Sequence, residues 1–286
     1  HGAGVGVVVD GVPAGAVIDT DYINAQMLRR APGRKLATAR KESDQVEFLS
    51  GVFNGRATGA PICMFIKNSD TKSVDYDNLR YLMRPSHSDY TAHIKYKGAN
   101  DYRGGGHFSG RLTAGLVAAG SIARALLLDM GITIGAHILQ VGNVKDQPFG
   151  HEINKETLEK LSTMELPLLT EIEEKIRQTI ELAQAQKDSV GGAVECAIVG
   201  VPAGVGEPFF DSVESRLAQM LFSIPGVKGV SFGAADAAPS SFGSEYNDAF
   251  YKEGDRVLTK TNNSGGINGG ISNGMPIVFT VKMRPT

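Results

Sequence analysis

Two hydrophobic rhythms alternate along this chain, one of period two and one close to 3.6, and they mark out mixed strands and helices. Ile62, Met64 and Ile66 alternate with Cys63, Phe65 and Lys67, and Ile277, Phe279, Val281 and Met283 alternate with Val278, Thr280 and Lys282. Both patterns predict sheet strands with one buried face. Gly4–Val9 and Cys196–Val201 add two short apolar strands, each followed by a Pro-containing turn. Leu112–Met130 is almost wholly apolar or small and predicts a buried helix closed by Gly131. Ile23 and Met27 share one face of a short helix that Thr20 can cap and Pro32-Gly33 stops. Leu158 and Leu161, then Ile172, Ile176 and Ile180, form amphipathic helical faces, with Glu171–Lys175 and Glu173–Arg177 placed for i,i+4 pairing. Asp211 or Ser212 caps a further helix that buries Val213, Leu217 and Leu221.

The mixture lacks the strict alternation of a doubly wound sheet, and the one-sided strands point to helix-covered antiparallel sheets of the α+β class. Val9–Gly15 and Val199–Gly204 share a loose Val-Pro-Ala-Gly echo, which leaves an internal pseudo-duplication open. No Pro/Ser-rich linker interrupts the 286 residues, so residues 1–286 are read as a single domain. His1 opens directly on strand-like residues and Thr286 closes on Arg-Pro-Thr, so terminal segments are expected to be missing from the sequence.

Composition narrows the function. A net charge of −2 argues against nucleic-acid binding by bulk charge, so any anion must be held by local clusters of Arg and Lys. No stretch reaches the roughly 20 uninterrupted apolar residues of a membrane span, and no signal peptide is visible. Cys63 and Cys196 sit far apart in apolar runs and read as buried free thiols of a reducing cytoplasm. Glycine stands out with 35 residues, gathered at 104–106, 191–192, 204–206 and 265–274.

The Gly104–Gly106 loop offers backbone N–H groups to an anion, with the positive end of the next helix behind it. Arg103 and Arg111 flank it and suit a phosphate, while the alternative is a tight turn with solvated arginines. The pattern is not a Walker A loop, because no Gly-Lys-Ser/Thr follows. Of six histidines, His1, His87 and His107 lie in glycine- or arginine-rich settings, and His93, His137 and His151 look peripheral. His87 stands between Arg84 and Asp89, whose charges act on it in opposite senses, and suits proton transfer. The histidines are not spaced as helical ligand pairs, so no metal site is expected, and Gly-x-Ser-x-Gly is absent. Thr261–Gly274 is uncharged and rich in amides and hydroxyls, as a loop around a polar planar ligand would be.

These segments resemble those of the chorismate synthase family over essentially the whole chain. The motifs that carry the likeness are Arg29-Arg30-x-Pro32-Gly33-Arg34, Asp44-Gln45-Val46-x-Phe48-x-Ser50-Gly51-Val52-Phe53-x-Gly55, Arg84-Pro85-x-His87-x-Asp89-Tyr90 and Asp101–Gly106. Asp188–Gly192, Gly204–Pro208, Ser223-Ile224-Pro225-x-Val227-Lys228-Gly229 and Asn263-x-Gly265-Gly266-Ile267-x-Gly269-Gly270-Ile271-Ser272-x-Gly274 continue it in order.

The resemblance implies a β-α-β sandwich, a homotetramer, and a carbon–oxygen lyase that converts 5-enolpyruvylshikimate 3-phosphate to chorismate and phosphate in the shikimate pathway. It implies reduced FMN without net oxidation, and NADPH only in a bifunctional member. By position, it makes His1 and His87 catalytic, and gives FMN contacts to His107, Phe108, Ser109, Pro225, Gly226, Gly269, Arg284, Pro285 and Thr286. Arg30, Arg34, Arg40 and Arg103 fall to the substrate's phosphate and carboxylates. His107-Phe108 stands where many members have Arg-Ser, Arg284 replaces the usual Lys, and Gly226 replaces a common Ala. The family's later Arg-His-Asp-Pro segment does not occur before Thr286. A catalytically impaired FMN- or phosphometabolite-binding protein on the same scaffold is the alternative, and a small-molecule kinase a remote third.

Overall fold

A computed structural model describes residues 2–31, 44–68 and 82–285. The chain divides into two compact units, His1–Leu126 and Leu127–Thr286.

The first unit is built on β1 (Gly4–Val9), α1 (Thr20–Arg30), β2 (Val46–Ser50), β3 (Val52–Phe53), β4 (Arg56–Ala57), β5 (Ile62–Lys67), α2 (Asp89–Lys95) and α3 (Thr113–Asp129). Strand β5 lies between β1 and β2, antiparallel to both, with Val7 opposite Met64 and Phe48 opposite the same residue on the other side. The period-two pattern of β5 is realised: Ile62, Met64 and Ile66 are fully buried with Ile23 and Met27 of α1 and Ala114, Ala118 and Ile122 of α3. Gly115 allows α3 to approach β1, since a Cβ there would sit 3.3 Å from Val7. Small residues on that face let helix and sheet close together.

Two details differ from expectation. Asp19, not Thr20, caps α1, its Oδ1 accepting from the Tyr22 N–H at 2.9 Å. The apolar stretch Gly110–Asp129 is long and apolar enough to cross a membrane, yet Arg124 within it hydrogen-bonds the Gln26 side chain at 3.0 Å.

The second unit contains β6 (Thr133–Val141), β7 (Val144–Lys145), α4 (Lys155–Thr163), α5 (Glu173–Ala185), β8 (Gly192–Val199), α6 (Val213–Phe222), β9 (Val227–Phe232) and α7 (Gly243–Tyr246). Beyond these come β10 (Phe250–Glu253), β11 (Arg256–Thr259), β12 (Ile267–Asn268), β13 (Ile271–Ser272) and β14 (Ile277–Met283). Its main sheet runs β7-β6-β8-β14-β9 and is antiparallel throughout. Strand β14, between β8 and β9, is buried on both faces rather than one. Ile277, Phe279 and Val281 pack with Val213, Leu217 and Leu221 of α6, while Val278 meets Leu158 and Leu161 of α4. Helices therefore cover both sides of this sheet, and a strand between two such layers must be apolar on both. Glu173–Arg177 forms its i,i+4 pair at 2.5 Å, whereas Glu171 lies ahead of the helix.

The Val-Pro-Ala-Gly echo has a structural counterpart. In each unit the motif follows a strand (β1, β8) and leads to a side-chain-capped helix, α1 behind Asp19 and α6 behind Ser212.

His137, read as peripheral, is fully buried between β6 and its neighbours. Its Nε2 lies 2.9 Å from Glu195 Oε2 and its ring packs on Phe149 with centroids 4.5 Å apart. Burial raises the pKa of nearby Asp146, but bonds from the Thr170 hydroxyl and the N–H groups of Leu169 and Gln147 outweigh it and hold the carboxyl below its usual range.

Candidate active site

The turn before α2 assembles the first group. Pro85-Ser86 reverses the chain, closed by the His87 N–H on the Arg84 carbonyl at 3.3 Å, with Ser86 at φ +55°. Asp89 follows in the first turn of α2, where the helix dipole favours an acid. Arg84 grips its carboxylate in a fork, Nε to Oδ2 at 2.8 Å and Nη2 to Oδ1 at 2.9 Å. The Arg84 side chain, helped by its backbone N–H and by His87, holds Asp89 well below the usual carboxylate range despite partial burial. Asp89 is thus an acceptor at any physiological pH, and His87 Nδ1, 2.6 Å from Oδ1, carries the hydrogen between them. That fixes the tautomer and leaves Nε2 on the outer edge of the ring.

The glycine loop meets that edge. Gly104, Gly105 and Gly106 have φ of +61°, +81° and +52°, which L side chains rarely adopt. A Cβ at Gly105 would lie 3.7 Å from His87 Cε1 and 3.8 Å from Nε2. The loop does not open directly onto the helix, however. Ser109 accepts from the Arg111 N–H at 3.2 Å and starts a 3-10 turn, Gly110–Leu112, before α3 begins. The half-buried Phe108 ring stands 6.4 Å from Tyr96 and 5.9 Å from His107, which is exposed. Arg103 spends its fork on Asp101, at 2.8 and 2.7 Å, and both side chains stay about two-fifths exposed.

A second group lies at the start of α3. Arg30, in the last turn of α1, donates Nη1 to Asp44 Oδ2 at 2.5 Å and Nη2 to the Gly110 carbonyl at 3.4 Å. Arg111 donates Nη1 to the other oxygen of Asp44, Nε to Asn68 Oδ1 at 3.1 Å and Nη2 to the Lys67 carbonyl at 3.1 Å. Asn68 in turn donates to the Gly2 carbonyl at 3.0 Å. One chain of contacts thus joins the backbone beside His1, both arginines and the turn after Ser109.

The first unit therefore gathers His87, His107, Phe108, Ser109, Arg30 and Arg103 along one stretch of loop. His1, Arg34, Arg40 and Thr286 lie outside the described residues. In the second unit Pro225-Gly226 forms the turn between α6 and β9, and the Arg284 N–H donates to the Gly226 carbonyl at 3.0 Å. Pro285 packs beside Gly191, next to a cavity of about 600 Å³ lined by Gly191, Gly192, Thr280, Lys282 and Met283. Gly269 is not with them. It sits at the exposed tip of the β12–β13 hairpin, whose next residue, Gly270, lies against Ser212. The ten residues of α6, about 15 Å at 1.5 Å per residue, separate that end from Pro225.

Sequence reasoning missed Asp44, an acid that follows closely on the basic segment ending at Arg40-Lys41. The long glycine loop engages much of its polar surface within the chain. Asp248 takes the Thr261 hydroxyl and the N–H groups of Asn263 and Ser264, Asn262 donates to the Pro276 carbonyl, and Ser272 to that of Pro202. Its donors are turned inward.

A flavin fits what the first unit presents. Beside the triad is a cavity of about 480 Å³, lined by Ser88, Asp89, His93, Tyr102, Gly105 and Phe108 among others. Small-ligand sites ordinarily span roughly 300–1,000 Å³. Bare glycine backbone, an aromatic edge and polar side chains suit a planar heterocycle with polar edges.

An α+β fold with an Asp-oriented histidine and clustered arginines defines an anion-processing enzyme site. The chorismate synthase family model matches residues 1–286. A chorismate synthase of Dehalococcoides mccartyi is 44% identical over 287 residues, covering 100% of this chain and 78% of its own. One of Pyrococcus abyssi is 44% identical (100% and 79% covered), and one of Chitinophaga pinensis 46% (100% and 76%). A crystal structure of chorismate synthase superposes with a TM-score of 0.81 at 30% identity, covering 100% of this chain and 81% of that one. The chain belongs to the chorismate synthase family.

Proposed function

We propose that the chain converts 5-enolpyruvylshikimate 3-phosphate to chorismate and inorganic phosphate, by 1,4-anti-elimination. The C–O bond to phosphate breaks, a proton leaves C6, and a new double bond forms, with no net redox change. Reduced FMN, when bound, supplies electron density to the allylic system and recovers it. His87 Nε2, which lies against the Gly105 backbone, is the atom that takes up and releases a proton towards the flavin, because Asp89 holds the other ring nitrogen. Gly105 and Phe108 line the flavin pocket, and His107, Phe108 and Ser109 contact the cofactor. The family likeness proposes Pro225, Gly226, Gly269, Arg284, Pro285 and Thr286 as further FMN contacts. His1 serves the departing phosphate. Arg30 and Arg103, with Arg34 and Arg40, hold the substrate's phosphate and carboxylates and stabilise charge as it develops.

The observation that carries the reading is the Arg84–Asp89–His87 triad set against the Gly105 backbone, in a chain that matches the family from end to end. We read the enzyme as a cytoplasmic homotetramer that takes up flavin already reduced. Under anaerobic conditions, substrate and reduced FMN should yield chorismate and phosphate, whereas NADPH with oxidised FMN should not. His87→Ala should lower kcat by roughly 100-fold or more while flavin still binds. Absence of turnover by the full-length gene product would overturn the reading.

A further inference from the structure

We infer that Asp44 is a positioning residue of the anion site, one that sets the geometry of Arg30 and Arg111 while lowering their combined charge. The inference rests on the reading of Arg30 as an anion ligand. Asp44 has no exposed side-chain surface, and its two oxygens go to two different arginines. Those arginines come from the last turn of α1 and the turn ahead of α3, far apart in sequence. Two guanidiniums brought this close repel unless a carboxylate lies between them, and a buried carboxylate is tolerated only when so paired.

The remaining contacts show what the pairing fixes. Arg30 reaches the Gly110 carbonyl and Arg111 the Asn68 side chain and Lys67 carbonyl, so neither guanidinium can turn without breaking a bond. Their side chains remain 20% and 12% exposed. Asp44 itself sits at φ +50°, a left-handed conformation that Asp tolerates better than most residues. Two cations and one anion leave a single net positive charge.

This arrangement makes opposite predictions for charge and for geometry. Asp44→Asn adds a positive charge to the cluster, so if charge alone governed affinity an anion would bind more tightly. If Asp44 acts by positioning, the anion binds more weakly despite the added charge. The test is calorimetric titration of full-length protein with inorganic phosphate, beside thermal melts. We expect the Kd for phosphate to rise roughly tenfold or more in Asp44→Asn. Asp44→Glu, which keeps the charge but moves the carboxylate by one methylene, should weaken binding in the same direction and by less.

Unchanged or tighter phosphate binding in folded Asp44→Asn would overturn the inference. So would wild-type protein that binds no phosphate, or failure of both variants to fold, which would make the residue's role structural. If wild type binds phosphate, the variant loses it, and neither turns over substrate, the proposed reaction fails while the positioning role stands.

Discussion

The two glycine-rich loops look alike in sequence and do opposite things. Gly104–Gly106 uses its positive φ angles to bring bare backbone against the outer edge of His87, and the surrounding side chains remain partly exposed. Gly265 and Gly266 use the same conformational freedom to bring backbone against backbone. A Cβ on Gly265 would lie 2.5 Å from the Gly233 nitrogen, and one on Gly266 would fall on the Pro276 carbonyl. Around the second loop Asp248 accepts from three donors, and Ser272 and Asn262 are both engaged with main chain. Glycine density therefore reports close approach. What is approached, a reactive side chain or the chain's own main chain, decides between function and scaffold.

Substitutions that restore a Cβ should break the second loop first. Gly266→Ala places a methyl on the Pro276 carbonyl at φ +80°, with the Met275 oxygen 2.9 Å away. We expect a loss of roughly 3 kcal/mol or more, read as a fall of about 10 °C in Tm. Next comes Asp248. Burial raises its pKa, but the Thr261 hydroxyl and the N–H groups of Ser264 and Asn263 win and hold it below the usual range. A lowered folded value means the stabilisation is complete above the ordinary carboxylate pKa of about 3.9 and lost as pH falls through the folded one. Asp248→Asn should cost about 2 kcal/mol at pH 7. Urea midpoints for wild type and variant should converge as the pH is lowered from 7 towards 3; a constant gap would refute the assignment.

Gly105→Ala should behave differently. Its nearest side-chain atoms lie 3.7–3.8 Å from a new Cβ, so the cost is backbone strain at φ +81°, about 1 kcal/mol. The methyl, however, covers His87 Nε2. Turnover should drop tenfold or more while Tm moves by only a few degrees. A proportional loss of both would return this loop to the scaffold class.

The sequence reading succeeded where one local rule sufficed. The existence of helix α3, though less buried than its apolar sequence predicts, the alternation of β5 and the cap at Ser212, one of two candidates, each follow from residues within one element. It failed where the deciding partner was remote. β14 reads as half-buried because Thr280 and Lys282 interrupt its second face, and the cover on that face comes from α4, more than a hundred residues upstream. Asp44 reads as one acid among several after a basic segment until the turn ahead of α3 brings Arg111 to it. Arg103 and Arg111 looked equivalent beside the glycines, yet one pairs with a neighbour two residues away and the other with residues more than forty positions back. Spacing identifies which residues can meet locally. It does not say which charges are already committed.

That distinction sets the smallest effect and the finest test of the comparison. Asp101 and Arg103 form a forked pair whose side chains are 44% and 42% exposed. Arg103, through its side-chain bonds, draws the Asp101 pKa down to about 2, so the pair persists at any working pH. Exposed pairs of this kind contribute roughly 0–1 kcal/mol, because solvent screens them and ordering two side chains costs entropy. Asp101→Asn should therefore leave Tm within a degree or two of wild type. It should nonetheless tighten sulfate binding by about two- to fivefold, since the Arg103 fork loses an internal competitor of the same charge as the ligand. Sulfate keeps a constant charge across neutral pH, so the comparison is free of ligand titration. The matching change against the second loop, Asp248→Asn, should alter stability and leave sulfate affinity untouched. A fall in Tm at Asp101 of the size seen at Asp248 would erase the difference between the loops. Tighter sulfate binding at constant Tm would mean that the first loop lends its polar groups to a ligand while the second keeps them.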